Sequence, residues 1–159
     1  FEAGDLLGVV PPNGQAPRFY SLASSATDGV VEICVRKQPR GLCSGYLYEL
    51  KPGNRISSFI RHNPGFRPAT GSNPVILIGA GAGIGPLAGF IRKNASRNPM
   101  YLYWGRRSSQ SDFLYQPELG RYLDDHRLTA LNTVFSRSDE RAYVQDKLCY
   151  SHPTHPAYR

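Results

Sequence analysis

Hydrophobic and polar positions divide the chain into an early part that alternates and a later part that runs in blocks. Residues 4–10, Gly-Asp-Leu-Leu-Gly-Val-Val, and 18–22, Arg-Phe-Tyr-Ser-Leu, read as short strands separated by the turn cluster Pro11-Pro12-Asn13-Gly14. From Gly29 to Lys37, Val31, Ile33 and Val35 alternate with Val30, Glu32, Cys34 and Arg36. One face is apolar and the other mixed, the pattern of a strand in an antiparallel sheet or barrel wall, and the preceding Thr27-Asp28-Gly29 fits a hairpin turn. Residues 41–50 carry apolar side chains at helical spacing and end at Lys51-Pro52-Gly53, after which 54–60 return to a strand pattern. Pro and Gly crowd into 62–68 and 71–74, the density of an interdomain connection, and a boundary is expected near residue 72.

Beyond that boundary the period changes. Val75-Ile76-Leu77-Ile78 is an uninterrupted apolar run, with the length and β-branched content of a strand buried on both faces. Gly79, Gly81, Gly83 and Gly85 follow, residues that let backbone turn tightly or approach another group, and Pro86 suits the first turn of a helix running through Phe90, Ile91 and Arg92. Strand, helix, strand and helix are then predicted over 100–103, 113–123, 128–135 and 143–148. Such alternation implies a parallel sheet with helices packed on it. The predicted fold is α/β plus β: an antiparallel barrel domain over 1–72, a Rossmann-like parallel-sheet domain over 73–148, and a disordered tail over 149–159.

Ligands of parallel sheets sit at the carboxyl ends of the strands. Here those ends are the glycine loop, Gly105-Arg106-Arg107-Ser108 and Ser136-Arg137, which are expected to line one crevice. Free amide N–H groups and the positive end of a helix dipole suit a nucleotide pyrophosphate, and guanidinium forks suit a second phosphate. The same residues also fit a tight turn that binds nothing and a solvated basic rim, because the glycine spacing is not the six-residue dinucleotide fingerprint.

Composition narrows the classes. Nineteen Lys plus Arg against twelve Asp plus Glu give a net charge of +7, which favours acidic partners. The arginines cluster at predicted strand ends rather than along a helix or an aromatic sheet face, which argues against nucleic acid. Cys34, Cys43 and Cys149 lack the spacing of a zinc site or redox dithiol, and their odd number argues against a disulfide framework. A reducing, cytoplasmic compartment is expected, for a free protein or for the cytoplasmic part of a membrane-attached one. No apolar run approaches the roughly 20 residues needed to span a bilayer. The opening Phe-Glu-Ala-Gly-Asp is neither a signal peptide nor a translation start, so the chain is expected to begin inside a larger product. His152 and His155 lack a third ligand, and no metal site is expected.

Five motifs, in order, resemble the ferredoxin–NADP reductase superfamily, most closely its diflavin branch, which includes the sulfite reductase flavoprotein. Arg18-Phe19-Tyr20-Ser21 is similar to the family's Arg-x-Tyr-Ser signature. The resemblance implies that Arg18 pairs with the FAD pyrophosphate, Tyr20 packs on the isoalloxazine, and Ser21 hydrogen-bonds near the reactive flavin nitrogen as the catalytic hydroxyl. Gly41-Leu42-Cys43-Ser44 is similar to the Gly-x-x-Ser/Thr segment, where backbone amides and Ser44 would hold flavin phosphates and Cys43 would be a small packed residue.

Gly79-Ala80-Gly81-Ala82-Gly83-Ile84-Gly85-Pro86 resembles the family's Gly-x-Gly-Thr-Gly-Ile-Ala-Pro loop for the NADPH pyrophosphate, with Ala82 for the threonine and Gly85 for the alanine. Those departures imply weaker cofactor binding and a looser helix start. Tyr103-Trp104-Gly105-Arg106-Arg107, then Asp112-Phe113-Leu114-Tyr115 and Glu118-Leu119, match the family's aromatic-Gly-x-Arg and Asp-Phe-Leu-Tyr-x-x-Glu-Leu run, which makes Arg107 a cofactor residue. Ser136-Arg137 and Arg141-Ala142-Tyr143-Val144-Gln145 resemble the segment that reads the adenosine 2′-phosphate: Ser136, Arg137 and Arg141 would bind it, Tyr143 stack on adenine, and Gln145 support the site.

The implied protein is an FAD- and NADPH-dependent reductase that passes hydride from NADPH to FAD. Electrons would go on to a flavodoxin-like FMN domain, a haem or an iron–sulfur partner. Further barrel strands, a Cys-Gly-Asp strand and a terminal aromatic that complete the family pattern are not in this sequence. The rival expectation is a truncated nucleotide-binding module without turnover.

Overall fold

The computed structural model describes residues 1–12, 15–107, 113–137 and 143–151. It divides into two compact units, one of residues 1–68 with 85–90 and the other of 69–84 with 91–159.

In the first unit, β1 (Leu6–Val10), β2 (Arg18–Ser21) and β3 (Ser57–Arg61) form an antiparallel sheet in the order β2-β1-β3. Helix α1 spans Leu42–Glu49. The register sets Leu7 opposite Tyr20 and Ile60, and Gly8 opposite Phe19 and Phe59. Because successive side chains alternate in face, Leu7 and Val9 turn inward and build a core with Leu22 and Cys43, onto which Tyr20, Ile33, Tyr46, Leu47, Ile56 and Ile60 pack. On the opposite face Phe19 and Phe59 meet edge-on at 5.9 Å across Gly8, where a Cβ would lie 2.6 Å from the Phe59 ring.

Residues 29–37 depart from the predicted strand. Their only ladder contact among the described residues is an isolated antiparallel bridge between Leu22 and Ile33. Side chains take the place of a partner strand: the Ser24 hydroxyl donates to Val30 O and accepts from Glu32 N–H, both at 2.8 Å. The predicted hairpin turn is a 3₁₀ turn over Ala26–Asp28, in which the Asp28 carboxylate accepts from the Ser25 N–H and hydroxyl, and Gly29 leaves it at φ +72°. Local Ser and Asp bonding competes with strand pairing here and wins.

Asp5 is fully buried and organises the end of this unit. Its carboxylate accepts from Glu2 N–H at 2.9 Å, from Asn63 N–H at 2.9 Å and from the Arg67 guanidinium, and it lies 3.2 Å from His62 Nδ1. Burial alone would push this carboxyl up. The Asn63 N–H, the Arg67 guanidinium and the Glu2 N–H outweigh burial and hold it well below the usual carboxylate range.

In the second unit, β4 (Val75–Ala80), β5 (Met100–Arg106) and β6 (Ala130–Phe135) form a parallel sheet in that order. Helix α2 spans Ile84–Arg92, of which 85–90 belong to the first unit; α3 spans Gln116–Asp124 and α4 Val144–Ser151. Helix α3 begins three residues later than the pattern predicts, with Pro117 in its first turn, where a missing N–H costs nothing. The strand Val75–Ala80 is not covered on both faces: Leu77 is buried, whereas Ile76 and Ile78 are 47% and 55% exposed. It pairs with β5 alone, as an edge of the described sheet. Ser136 N–H bonds to Arg106 O and Arg137 N–H to Arg107 O, each at 2.8 Å, so the β5–β6 pairing runs past the assigned strands.

The last turn of α2 is tied to α3 by charge. Arg92 donates to Glu118 Oε1 from Nε at 2.8 Å and Nη2 at 2.7 Å, and the Tyr122 hydroxyl donates to the same oxygen. Burial, then that bond to the Glu118 carboxylate, pushes the Tyr122 phenol up to about 12, with Arg92 opposing. No described helix is long and apolar enough to cross a membrane.

Candidate functional site

The glycine turn is built by the strand that precedes it. Strand β4 ends at Ala80, a 3₁₀ turn covers Gly81–Gly83, and α2 begins at Ile84, two residues before Pro86. The glycines of this stretch are required for different reasons. Gly81 sits at φ +52°, a left-handed conformation that side chains disfavour. Gly83 has ordinary φ, and among the described residues a Cβ there would meet nothing within 4 Å. Neither backbone strain nor packing against a described residue demands glycine at 83, so the space there fits close approach by another group. A turn of this kind stands beside the N–H groups of a helix start, which attract anions.

Gly85 is a packing glycine. A Cβ there would stand 2.8 Å from the Cβ of Cys34 and 3.5 Å from that of Ala23, all within the first unit. The expected looser helix start is therefore offset by Cys34, which fills the place of the missing methyl. Burial, with the charge of Glu32, pushes the Cys34 thiol up, so it is a packed neutral group. Gly85→Ala is expected to destabilise the protein by about 1 kcal/mol net, because overpacking outweighs the gain in helix propensity. Urea denaturation checks this, and Cys34→Gly alongside it should recover the loss.

The three parallel strands end on one edge. Ala80 pairs with Gly105, and Arg106 with Phe135, so the glycine turn, Arg107 and Ser136-Arg137 are brought to the same side of the sheet. Arg107 and Arg137 are exposed, and Ser136 donates its hydroxyl to Arg106 O at 3.2 Å. Tyr143 is 50% exposed and caps α4: its N–H donates to Asp146 Oδ2 at 2.8 Å, and Asp146 N–H returns to Tyr143 O at 3.1 Å. Gln145 is exposed on the first turn of that helix, and Ala82 is half-buried in the glycine turn. Arg141, Ser108, Asp112 and the tail residues 152–159, with His152 and His155, lie outside the described residues.

One residue at this edge belongs to a motif but was given no role from the sequence. Trp104 is 1% exposed, and its indole N–H donates to Gly81 O at 3.0 Å, joining β5 to the glycine turn. Phe113 packs edge-on to it at 5.3 Å, and the Arg106 guanidinium lies 4.8 Å from its ring centroid and 5.0 Å from that of Phe113. The sequence signals were that Trp104 is the single tryptophan of the chain and the aromatic of the aromatic-Gly-x-Arg motif, one residue past the predicted strand, and neither gave it a role.

In the first unit, Arg18 and Tyr20 share the sheet face of Leu7 and Val9, while Ser21, opposite Leu6, belongs to the other face. A ligand touching all three must therefore wrap the end of β2. Arg18 is exposed and donates from Nη1 to Ala16 O at 2.9 Å. Burial, then a hydrogen bond with the Cys43 thiol, pushes the Tyr20 phenol up to about 12 against the charge of Arg18. Gly41 precedes α1, and a Cβ on it would lie 2.4 Å from Ser44 Oγ. That hydroxyl accepts from Gln38 N–H at 3.1 Å and donates to Gly41 O at 3.4 Å, while Leu42 is 62% exposed. Ser44 also lines a cavity of about 420 Å³ with Ile33, Val35, Lys37, Leu47 and Tyr48. Of these, Lys37 lies 3.9 Å from the Tyr48 ring centroid and 3.2 Å from Glu49 Oε1.

Residues 77–157, about half of the chain, match the family model described as the oxidoreductase NAD-binding domain. The sulfite reductase [NADPH] flavoprotein alpha-component of Vibrio vulnificus is 38% identical over 162 residues, covering 92% of this chain and 26% of the relative. NADPH oxidoreductase A of Dictyostelium discoideum is 36% identical over 148 residues, covering 83% of this chain and 23% of the relative. The chain thus spans about a quarter of the length of these curated relatives. Among solved structures, the ferredoxin–NADP⁺ reductase from Plasmodium falciparum superposes with a TM-score of 0.81 at 22% identity, over 95% of this chain and 66% of that one, a likeness of fold. With the glycine turn and the arginines on one sheet edge, these matches mean that the chain belongs to the oxidoreductase NAD-binding domain family, in the diflavin branch of the ferredoxin–NADP reductase superfamily.

Proposed function

We propose that the chain is part of an FAD- and NADPH-dependent reductase that moves hydride from NADPH to FAD and passes the electrons to a protein-bound acceptor. The observation that supports this most is the carboxyl edge of the parallel sheet, where a glycine turn, with no described residue against Gly83, stands with Arg107 and Arg137. When bound, NADPH supplies a hydride and FAD divides the electron pair into single electrons.

The chain's own residues do the positioning. Backbone N–H groups over Gly79–Pro86 hold the NADPH pyrophosphate. Arg107, Ser136, Arg137 and Arg141 take the 2′-phosphate, which a guanidinium fork matches in charge and shape. Tyr143 stacks on adenine, with Gln145 beside it. Arg18 pairs with the FAD pyrophosphate, the segment Gly41-Leu42-Cys43-Ser44 holds the flavin phosphates, Tyr20 stacks on the isoalloxazine, and Ser21 donates a proton-sharing hydroxyl near the reactive nitrogen. The Tyr20 phenol, pushed up to about 12, stays neutral at any working pH, which suits a stacking ring rather than an acid. The acceptor is a flavodoxin-like FMN domain, a haem or an iron–sulfur centre.

An anaerobic visible spectrum of the FAD-supplemented, desalted protein tests the reading. Retained flavin absorbance that bleaches on adding NADPH is expected. Retained flavin that stays oxidised would leave a nucleotide-binding module without turnover, and no retained flavin would remove the FAD assignment.

A further inference from the structure

We propose that Trp104 is a positioning residue for the dinucleotide cradle, holding the glycine turn in the form that receives a pyrophosphate; the inference rests on the NADPH reading above. The contact is specific. Indole Nε1 donates to Gly81 O at 3.0 Å, and Gly81 is the residue of the turn whose φ, +52°, lies in the left-handed region. A glycine at such a position can leave that conformation at little cost, so its carbonyl needs an external hold. Ile84 N–H reaches the same oxygen from within the turn, and Trp104 supplies a bond from the sheet.

Peptide planarity carries the effect to the cradle. In a trans peptide the C=O and the following N–H point in opposite directions, so holding Gly81 O toward Trp104 sets the direction of the Ala82 N–H. The indole is itself held. It is 1% exposed, Phe113 meets it edge-on at 5.3 Å, and the Arg106 guanidinium lies 4.8 Å from its ring centroid. Its rotation would disturb both neighbours, so the donor stays aimed at the turn. A phenylalanine at 104 would keep an aromatic ring beside Phe113 and lose the N–H together with part of the buried indole volume, a packing loss that the thermal melt registers.

The test is isothermal titration of NADP⁺ and of NAD⁺ into the wild-type chain and into Trp104→Phe, with thermal melts of both. Loss of one buried hydrogen bond should weaken both nucleotides by about fivefold. Their ratio should be unchanged, because the pyrophosphate is common to both. Unchanged constants for the variant beside a wild type that binds would overturn the role of Trp104 and leave the NADPH reading standing. A wild type that binds neither nucleotide would overturn both.

A second measurement needs no variant. Trp104 is the only tryptophan, so its emission should change saturably with NADP⁺ at the calorimetric dissociation constant. Calorimetric binding with silent emission would overturn the coupling even if Trp104→Phe failed to fold.

Discussion

Asp5→Ala should destabilise the first unit by about 3 kcal/mol, because it removes the buried carboxylate that answers Arg67 and takes their acceptor from the Glu2 and Asn63 N–H groups. Asp5 is fully buried, and its two oxygens gather the Glu2 and Asn63 N–H groups, His62 and Arg67 from both ends of the unit. Arg67 is only 24% exposed, so it cannot simply turn to water. Urea denaturation of wild type and variant measures the loss, and the melting temperature should fall on the order of 10 °C. A drop of a few tenths of a kcal/mol would show that the cluster is incidental.

The same residue gives stability a pH dependence of known sign. Its folded carboxyl lies below the unfolded one, so its contribution is complete above about pH 5, the upper edge of carboxylate titration. It is lost as the pH falls toward the depressed folded value. The stability gap between wild type and Asp5→Asn should accordingly narrow from pH 5 to pH 2. A constant gap would assign the stabilisation to shape rather than charge.

Arg137→Ala is expected to weaken NADPH about thirtyfold and NADH hardly at all, since a charge-assisted pairing with phosphate is lost and NADH has no 2′-phosphate. Arg137 is exposed just beyond β6, and its N–H bonds to Arg107 O at 2.8 Å, so the two guanidinium side chains start from adjacent strand ends. Competition binding of the two nucleotides to wild type and variant separates the outcomes. Equal losses for both would exclude a 2′-phosphate role. Trp104→Phe should show the opposite signature, equal loss with an unchanged ratio, so the pair distinguishes recognition of the 2′-phosphate from formation of the cradle.

Block patterning made the second unit legible. Val75–Ile78, Met100–Tyr103 and Leu128–Phe135 announced three strands, and the run of glycines between strand and Pro86 announced the turn, because buried strands and φ-positive turns restrict residue choice. Alternation was less reliable. Residues 29–37 had the period of a strand, yet Ser24 and Asp28 bind their backbone groups locally, a competition that periodicity does not register.

Residue types and order along the chain determined which groups are available: the glycine turn, the arginines at strand ends and the Arg-Phe-Tyr-Ser strand. Tertiary structure decided what each does, because distance in space is not distance in sequence. It placed Arg107 and Arg137 on the edge that carries the glycine turn through parallel register alone. It split Tyr20 and Ser21 between two faces of β2. It made Gly85 a matter of the Cys34 Cβ and left Gly83 open among the described residues. It joined Trp104 to Gly81 across 23 positions of sequence, a bond that no spacing rule contains because strand pairing, not chain neighbourhood, brings donor and acceptor together.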